Sequence, residues 1–354
     1  MSILDQADRW TSIDPQSMRS LLESFPEQVQ AAAEAGMKLS LSAPKQMKAV
    51  MVTGLGGSAI GGDLARAITE AQLKAPVIVN RTYALPGFVD VSTLIFACSY
   101  SGNTEETLSA YEQAKRCGAS IVCITSGGKL EALAVGDGNP VLRLPAGLPP
   151  RAALGHSLVA LLSAMQAMHL VPDMTESMQE AIDLLKELRN RYGPQNPESA
   201  NPAKAIAASL HDKVVAIYGS AGIMETAAYR WRSQIAENSK NLAFHHALPE
   251  MNHNELVGWR YPEEVLRRIG VVLLRDKADH PQIQRRFDLT RDIIAKKAGA
   301  LHEIWSEGNS ILARVLSTIY LGDFVSLYLA YVNNIDPSPV AVIDFLKKSL
   351  GSAT

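Results

Sequence analysis

One α/β unit occurs twice along this chain, and the duplication constrains the fold more than any other feature of the sequence. Residues 48–58 (KAVMVTGLGGS) align with residues 213–223 (KVVAIYGSAGI). Each copy has a lysine, four apolar residues, a hydroxyl-bearing residue and then Gly-x-x-Gly, with Gly54 matching Gly219. A helical pattern follows each copy, from Asp63 onward in the first. Two copies are too few for a solenoid, so we expect two related α/β domains.

Short apolar runs typical of strands recur in both halves, at residues 48–53, 76–80, 93–98, 120–125, 140–144, 269–274 and 299–305. Helical patterns separate several of them, most clearly at residues 104–116. This alternation predicts an α/β fold of two doubly wound domains, each a mainly parallel sheet flanked by helices. A polar segment containing Pro and Asn, residues 192–202, indicates a linker. We therefore expect an N-terminal domain of residues 1–191 and a C-terminal domain of residues 192–354.

Two further segments have helical patterns. Residues 15–39 carry apolar positions at helical spacing, and residues 311–332 form a long apolar-rich stretch. Gly322, Asp323 and Ser326 interrupt the second stretch. A buried or interface helix therefore fits residues 311–332 better than a membrane span.

Charge and composition exclude several classes of protein. The 354 residues carry a formal net charge of -2, which offers no attraction for nucleic acid or for an anionic membrane. The opening residues, MSILDQADRW, contain two Asp and no apolar core, unlike a signal peptide. Cys98, Cys117 and Cys123 lack the paired spacing of a zinc or redox motif. We expect reduced thiols and a cytoplasmic location.

The glycine-rich segment 54–62 is the sharpest local feature. A predicted strand delivers the chain into Gly-Leu-Gly-Gly-Ser, where bare backbone N–H groups and the start of a helix favour an anion. Ser58 adds a hydroxyl donor. The spacing departs from a dinucleotide fingerprint because Ala59 occupies a glycine position, and the next strand ends in Asn80 instead of a carboxylate. A tight turn that only packs a helix on a strand is the structural alternative.

A second polar loop follows the predicted strand at 93–98. Residues 99–107 (SYSGNTEET) place hydroxyl side chains at the carboxyl end of that strand, where they suit phosphate oxygens. Helix capping by Asn103 or Thr104 is the alternative, and the two roles are compatible. A third turn, residues 125–129 (TSGGK), follows the next strand. Because ligands collect at the carboxyl ends of parallel strands, we expect these loops to form a phosphate site, without the Walker lysine of nucleotide hydrolases.

These loops resemble the sugar isomerase (SIS) family of phosphosugar-binding domains, for which the SYSGNTEET run is highly specific. The duplication is similar to that of SIS enzymes with two such domains. Within the family, the chain looks most like the bifunctional phosphoglucose/phosphomannose isomerases over nearly its whole length. The narrower resemblance rests on residues 150–155 (PRAALG), 237–240 (ENSK), 252–255 (NHNE) and the C-terminal segment beginning DPSPV at residue 336.

The resemblance implies an enzyme that isomerises glucose 6-phosphate or mannose 6-phosphate to fructose 6-phosphate through a cis-enediolate. It implies that Glu237 is the base between C1 and C2, and that His253 assists ring opening from the partner subunit of a homodimer. Arg151 and Lys347 would polarise the sugar oxygens, with Lys348 as the neighbouring alternative to Lys347. The implied substrate-binding residues are Gly56, Gly57, Ser58, Ser99, Ser101, Thr104 and Ser338, the last standing where the family often has Thr.

The implied chemistry requires no metal or redox cofactor. One carboxylate above the C1–C2 bond can remove and return the proton, while cations near O1 and O2 stabilise the charge. The sequence contains no H-x-x-x-H or carboxylate cluster of metal spacing. From the pattern alone, Glu237 is equally typical of a solvated helix surface, and nothing separates His253 from His245 and His246.

Other functions stay open from the residues. A non-catalytic sugar-phosphate regulator is the main alternative, although the N-terminal segment lacks the basic recognition helix of a DNA-binding domain. A glucosamine-phosphate amidotransferase would need an N-terminal cysteine nucleophile, which the sequence does not contain. A nicotinamide-dependent oxidoreductase is disfavoured by the spacing of the first glycine loop.

Overall fold

The computed structural model describes residues 2–351, which form two compact units. The five-stranded unit comprises Ser24–Lys186 and Glu307–Leu316. The four-stranded unit comprises residues 2–23, Glu187–Ser306 and residues 317–351. The segment before Ser24 therefore belongs with the second sheet.

The strands described are β1 (Ala49–Thr53), β2 (Val77–Asn80), β3 (Thr93–Cys98), β4 (Ser120–Thr125), β5 (Val141–Arg143), β6 (Val214–Ser220), β7 (Ala243–Leu248), β8 (Ile269–Arg275) and β9 (Ala300–Trp305). The α-helices are α1 (Ala7–Ile13), α2 (Met18–Glu23), α3 (Phe25–Gly36), α4 (Gly57–Thr69), α5 (Glu105–Arg116), α6 (Gly128–Gly136), α7 (Leu154–Ala167), α8 (Thr175–Tyr192), α9 (Pro202–Leu210), α10 (Ile223–Gln234), α11 (Glu255–Gly258), α12 (Glu263–Leu266), α13 (Pro281–Ile294), α14 (Ile311–Val332) and α15 (Ala341–Gly351).

The five-stranded sheet has the order β2-β1-β3-β4-β5, and all of its neighbouring strands are parallel. Strands β1 and β3 are buried along their whole length. In the register, Val52 lies opposite Val79 on β2 and Phe96 on β3. The strand order reverses between β1 and β3, which makes that pair the switch point where sheets of this order bind ligands.

The four-stranded sheet repeats this arrangement without a fifth strand, in the order β7-β6-β8-β9. Its strands are also parallel, and Ile217 on β6 lies opposite His245 on β7 and Val272 on β8. Its switch point is the pair β6 and β8. Trp259 and Phe287 belong to the buried cluster on one face of this sheet.

Glycines allow α4 to pack closely on its sheet. The helix begins at Gly57, earlier than the Asp63 suggested by the sequence pattern, although glycine disfavours a helix interior. A Cβ placed on Gly62 would lie 2.8 Å from Cγ1 of Val52, a contact too short for real side chains. Close approach of α4 to β1 therefore explains why the helix tolerates Gly62.

The strands predicted from apolar runs are confirmed, because each of those runs contains an observed strand. Strand β7 was missed: it is an edge strand whose central residues, Phe244 to His246, are partly or fully exposed and give no apolar run. The helical pattern predicted for residues 15–39 is confirmed, and it is divided between two helices, α2 and α3. Pro26 stands in the first turn of α3, and a proline there favours a new helix start.

Helix α14 passes a length and composition test for a membrane span, yet 94% of its apolar window is buried inside the protein. The buried helix predicted for residues 311–332 is thus confirmed. Gly322 lets α10 approach closely, because a Cβ there would lie 2.3 Å from the indole ring of Trp231. Trp231 Nε1 donates to the carbonyl of Thr318 at 2.9 Å, so the tryptophan is a core anchor of the four-stranded unit.

Candidate functional site

Two helices of the five-stranded unit begin at its switch point. Gly56 precedes α4 with φ 54°, a conformation that favours glycine, and a Cβ on it would meet nothing within 4 Å. Thr104 precedes α5. Among the described residues, no side chain makes the usual capping hydrogen bond at either N-terminus. Backbone N–H groups and helix dipoles at both ends therefore favour an anion.

Hydroxyl groups of the loop after β3 face one another. The hydroxyls of Ser99 and Thr104 form a hydrogen bond of 2.8 Å, so Thr104 contacts Ser99 instead of capping α5. Ser99 is buried, whereas Ser101 is exposed. The backbone N–H of Asn103 donates to the Ser101 hydroxyl at 3.3 Å. The loop thus holds its hydroxyls by mutual contacts and keeps donors for a ligand.

Close backbone contacts connect the loops that follow β3 and β4. Gly102 has φ 68°, and a Cβ on it would lie 1.7 Å from the carbonyl oxygen of Gly127. A Cβ on Gly128 would lie 2.4 Å from the carbonyl oxygen of Ser101. The N–H of Leu130 donates to the carbonyl of Gly102 at 2.9 Å. Only glycine permits so close an approach of the two main chains. The loop at residues 125–129 therefore supports the hydroxyl loop at residues 99–107.

The glycine loop adjoins both the hydroxyl loop and Arg151. A Cβ on Gly54 would lie 2.7 Å from the carbonyl oxygen of Cys98 and 3.1 Å from Cβ of Ser58, which places the loops after β1 and β3 side by side. A Cβ on Gly57 would lie 2.8 Å from the carbonyl oxygen of Pro150. Arg151 follows Pro150 and is only 6% exposed. This unit therefore gathers the predicted residues before position 200 around one edge: Gly56, Gly57, Ser58, Ser99, Ser101, Thr104 and Arg151.

The four-stranded unit holds Glu237 in an unusual helical turn. Residues Ile235–Ser239 form a π-helical turn at the end of α10, and Lys240 ends it in the left-handed conformation with φ 57°. Single π turns inside α-helices frequently mark functional sites. Glu237 is half-buried. The turn distinguishes this glutamate from the ordinary surface glutamate that the sequence pattern also permits.

A buried polar network lies beneath the π turn. Arg230 and Asp323 form an ion pair of 2.7 Å with side chains 4% and 2% exposed. Gln234 Nε2 donates to Asp323 Oδ1 at 3.0 Å, and Asn238 Nδ2 donates to the Ser326 hydroxyl at 3.0 Å. Three residues at helical spacing therefore fix α10 and its terminal turn against α14.

The three histidines near β7 have different surroundings. His253 ends a short 3-10 turn, Glu250–His253, and is exposed. His245 stacks on Tyr229 with ring centroids 4.9 Å apart, and burial lowers its pKa. His246 Nδ1 accepts a hydrogen bond from the N–H of Ala247 at 2.7 Å. His253 is thus the histidine most accessible to a ligand or partner.

The loop after α14 carries Ser338. The N–H of Ser338 donates to Oδ1 of Asp336 at 2.8 Å, a local turn that orients the loop. Helix α15 follows, and its side chains from residue 341 to residue 350 are all exposed, Lys347 and Lys348 included. The structure therefore places Lys347 on an exposed helix, outside the packed core of the four-stranded unit.

Sequence reasoning missed Lys240 and the network of Arg230, Gln234 and Asp323. The signal for the network was present as polar residues four apart on α10 and an aspartate within the apolar segment 311–332. From the sequence, Asp323 was interpreted only as an interruption of the apolar segment. Within residues 2–351, no group of three or more His, Cys, Asp or Glu side chains could hold a metal ion.

The two parallel sheets and their glycine-containing turns define a protein with the fold of SIS domains. A family model described as the bacterial phospho-glucose isomerase C-terminal SIS domain matches residues 199–350. A glucose-6-phosphate isomerase-like protein from Thermus thermophilus shares the fold, with a TM-score of 0.65 at 19% identity over 97% of this chain and 100% of that chain.

Curated relatives narrow the class to one family. A bifunctional phosphoglucose/phosphomannose isomerase from Caldicellulosiruptor bescii is 47% identical over 92% of this chain and 97% of the relative. Another, from Aquifex aeolicus, is 36% identical over 86% of this chain and 90% of the relative. The chain belongs to the family of bifunctional phosphoglucose/phosphomannose isomerases.

Proposed function

We propose that this protein is an enzyme that interconverts glucose 6-phosphate, mannose 6-phosphate and fructose 6-phosphate. The observation that carries the proposal is the switch point of the five-stranded unit, where two helix N-termini and the Ser99–Thr104 hydroxyl pair surround one loop edge. Such an arrangement suits a phosphate dianion. Membership of the isomerase family supplies the reaction type.

The phosphate group would be held by the loops of residues 54–62 and 99–107. Backbone N–H groups near Gly56 and Gly57 and the hydroxyls of Ser58 and Ser101 are its proposed donors. Buried Ser99 orients Thr104 through their shared hydrogen bond. Binding energy from the unreactive phosphate end is then available to orient C1 and C2 of the sugar.

Glu237 is the proposed base. Its carboxylate takes the proton from C2 of the open-chain aldose, the electron pair forms the C1–C2 double bond, and O1 acquires the negative charge. The proton of O2 is then transferred to O1, O2 becomes the carbonyl oxygen, and the carboxyl group returns its proton to C1, which yields the ketose. Arg151 and Lys347 are assigned to the developing charge on oxygen, and Ser338 to the C2 hydroxyl that distinguishes the aldoses.

We further propose a homodimer in which His253 of one copy assists ring opening at the site of the other. The exposure of His253 in its turn supports this assignment. Variants Glu237→Gln and His253→Asn, each inactive alone, should recover about a quarter of wild-type activity when their subunits are exchanged, because half of the dimers then contain one intact site. Absence of recovery despite verified exchange would place His253 outside a shared site.

We propose the cytoplasm as the location, where Cys98 and Cys123 would stay reduced.

A cofactor-free assay tests the activity. Fructose 6-phosphate incubated with the purified protein should give both aldose phosphates, detected directly by NMR. In D₂O, deuterium should appear at C1 of fructose 6-phosphate and at C2 of the aldose phosphates. Binding without turnover would support a non-catalytic regulator instead.

The base has its own test. Glu237→Gln should lower kcat by about 10³-fold, within the range expected for a general base, while fructose 6-phosphate binding is retained. Glu225→Gln, on the first turn of the same helix, is the matched control and should stay within about twofold of wild type. Full activity in Glu237→Gln would exclude the glutamate as base.

A further inference from the structure

Lys240 connects two segments of the four-stranded unit. Its Nζ donates to the carbonyl oxygen of Glu237 at 2.7 Å and to that of Asn238 at 3.4 Å. The same Nζ donates to the carbonyl oxygen of Pro337 at 3.1 Å. A single ammonium group therefore joins the turn that carries Glu237 to the loop that carries Ser338.

The backbone of Lys240 explains why its side chain reaches those carbonyls. Its left-handed conformation ends the helical turn and redirects the chain. The last carbonyls of a helix lack partners within the helix, and a cation beside them is favoured by the helix dipole. Lys240 thus caps the turn of Glu237 with its own side chain and contacts the second segment with the same group.

The loop side of the contact is well defined. Pro337 is buried, and the neighbouring Ser338 is held by the Asp336 carboxylate through its backbone N–H. Movement of the Pro337 carbonyl would therefore move Ser338 with it. The contact with Lys240 therefore links this loop to the turn that carries Glu237.

A second contact joins the same two segments from the inner side. Asn333 Nδ2 donates to the carbonyl of Ser239 at 3.0 Å, and Asn333 Oδ1 lies 3.0 Å from Nδ1 of His211. Asn333 anchors the start of the loop, whereas Lys240 holds its end near Ser338. Lys240 is exposed, so its side chain can be altered without opening the core.

We propose that Lys240 is a positioning residue that fixes the separation between the Glu237 carboxylate and the Ser338 hydroxyl, and thereby sets both the turnover rate and the preference between aldose phosphates that differ at C2. The inference rests on the proposed function and deepens it. Lys240 acts through the two segments that it joins, and its ammonium is directed at backbone carbonyls.

The first test is Lys240→Met. Methionine keeps an unbranched chain of similar length and bears the same left-handed backbone cost, but it removes the donors. We expect kcat for both aldose phosphates to fall about tenfold or more, because small misplacements of reacting groups are costly. KM should stay within about twofold, since the phosphate is held elsewhere, and the ratio of kcat/KM between the two aldoses should change about threefold or more.

Chemical rescue separates the ammonium from general damage. Lys240→Cys in a Cys117→Ser background can be alkylated with 2-bromoethylamine, which restores an ammonium at nearly the original reach. Cys98 and Cys123 are buried, whereas Cys117 is exposed and is removed for that reason. The alkylated protein should regain kcat and the wild-type aldose ratio, and the unmodified thiol variant should resemble Lys240→Met.

Lys204→Met is the matched control. Lys204 Nζ also donates to backbone carbonyls, those of Pro194 at 3.2 Å and Asn196 at 2.7 Å, but these belong to a different segment. This variant should lower the thermal unfolding temperature and leave the aldose ratio unchanged. Thermal unfolding of every variant is followed alongside the kinetics.

The outcomes distinguish the inference from the function on which it rests. Lowered kcat with restored activity on alkylation supports the role of Lys240. Active wild-type protein with unchanged kcat and aldose ratio in Lys240→Met overturns the inference and leaves the isomerase proposal standing. An equal change of the ratio in Lys204→Met also overturns it, and wild-type protein without isomerase activity overturns both.

Discussion

The two sheets share one topology around their switch points but present opposite chemistry there. In each, a glycine with positive φ precedes the helix that follows the first strand, Gly56 at 54° and Gly222 at 99°. After the neighbouring strand the five-stranded unit has the hydroxyl loop 99–107, whereas the four-stranded unit has Asp276 and Asp279. The topology therefore determines where a ligand could bind, and the side chains at that switch point determine whether the ligand can be an anion.

Asp276 and Asp279, at the switch point of the four-stranded unit, already have hydrogen-bond partners within their own loop. Asp276 is 2% exposed, and its Oδ1 accepts a hydrogen bond from the N–H of Ala278 at 2.9 Å. Burial raises the pKa of Asp279. A phosphate placed here would meet carboxylates instead of hydroxyl donors. Of the two switch points, that of the five-stranded unit therefore has the donors that suit an anion.

The four-stranded unit has its buried polar network beneath a helical turn. Arg230 and Asp323 form a buried ion pair under the π turn of Glu237, whereas ion pairs of the five-stranded unit such as Arg143–Glu131 lie near the surface. The five-stranded unit has hydrogen-bond donors at the ends of its strands. The four-stranded unit holds the turn of Glu237 in place by buried contacts. The predictions below test this division.

The largest effect is expected for Asp323→Asn. The substitution leaves the Arg230 guanidinium buried without its counter-charge, so the free energy of unfolding should fall by about 3–5 kcal/mol. Glu131→Gln, which removes the partner of a guanidinium on the surface of the five-stranded unit, should cost about 1 kcal/mol or less. Urea unfolding of both variants measures the contrast. Equal losses would mean that the buried pair has no special weight.

Ser99→Asp makes the first switch point resemble the second. A carboxylate beside the anion site should weaken fructose 6-phosphate binding about 100-fold, because like charges at short distance repel strongly in a partly buried site. Isothermal titration calorimetry gives the affinity, and circular dichroism verifies the fold. Affinity within about threefold of wild type would remove Ser99 from the anion site.

Thr104→Val tests one hydroxyl with little change of shape. Loss of a donor that serves a charged group should weaken phosphate binding about tenfold. Thr107→Val, on helix α5, is the matched control, because the buried Thr107 hydroxyl has no hydrogen-bond partner among the described residues. The control should keep its affinity. Equal effects in the two variants would show that the loss comes from packing.

Asp279→Asn should have the smallest effect, in the pH dependence of stability. Because burial raises the pKa of Asp279 above 3.8 in the native state, the native protein binds more protons than the unfolded chain. Its contribution to stability is therefore greatest at low pH and declines as the pH rises through the native pKa. The variant should flatten this decline in urea unfolding between pH 4 and about 7, with stability at neutral pH within about 1 kcal/mol of wild type. An unchanged pH profile would contradict the assignment.

Much of the fold was predictable because short-range patterns carry it. Apolar runs revealed the strands of the buried sheets, and the glycine and hydroxyl loops revealed the first switch point. Strand β7 was not predictable from hydrophobicity, since Phe244 and His245 lie on a partly exposed edge strand. The start of α4 depends on contact between Gly62 and Val52, which intrinsic helix propensity does not report.

The proposed functional residues of the four-stranded unit could not be derived from local patterns. Lys240 reaches Pro337 across 97 positions, and Arg230 meets Asp323 across 93 positions, so neither contact leaves a short motif. Glu237, His253, Lys347 and Ser338 entered only through resemblance to a family. Their roles stay predictions.

The backbone contacts between Gly102 and the turn at Gly127 have a thermodynamic consequence. A flexible loop must lose conformational freedom when it closes on a ligand, and that loss subtracts from affinity. Here the main chains of the two loops are already in contact, so the hydroxyl loop would lose little conformational freedom on binding a ligand. In the proposed function, preorganisation of this kind would leave the binding energy of the phosphate available for orienting the rest of the sugar.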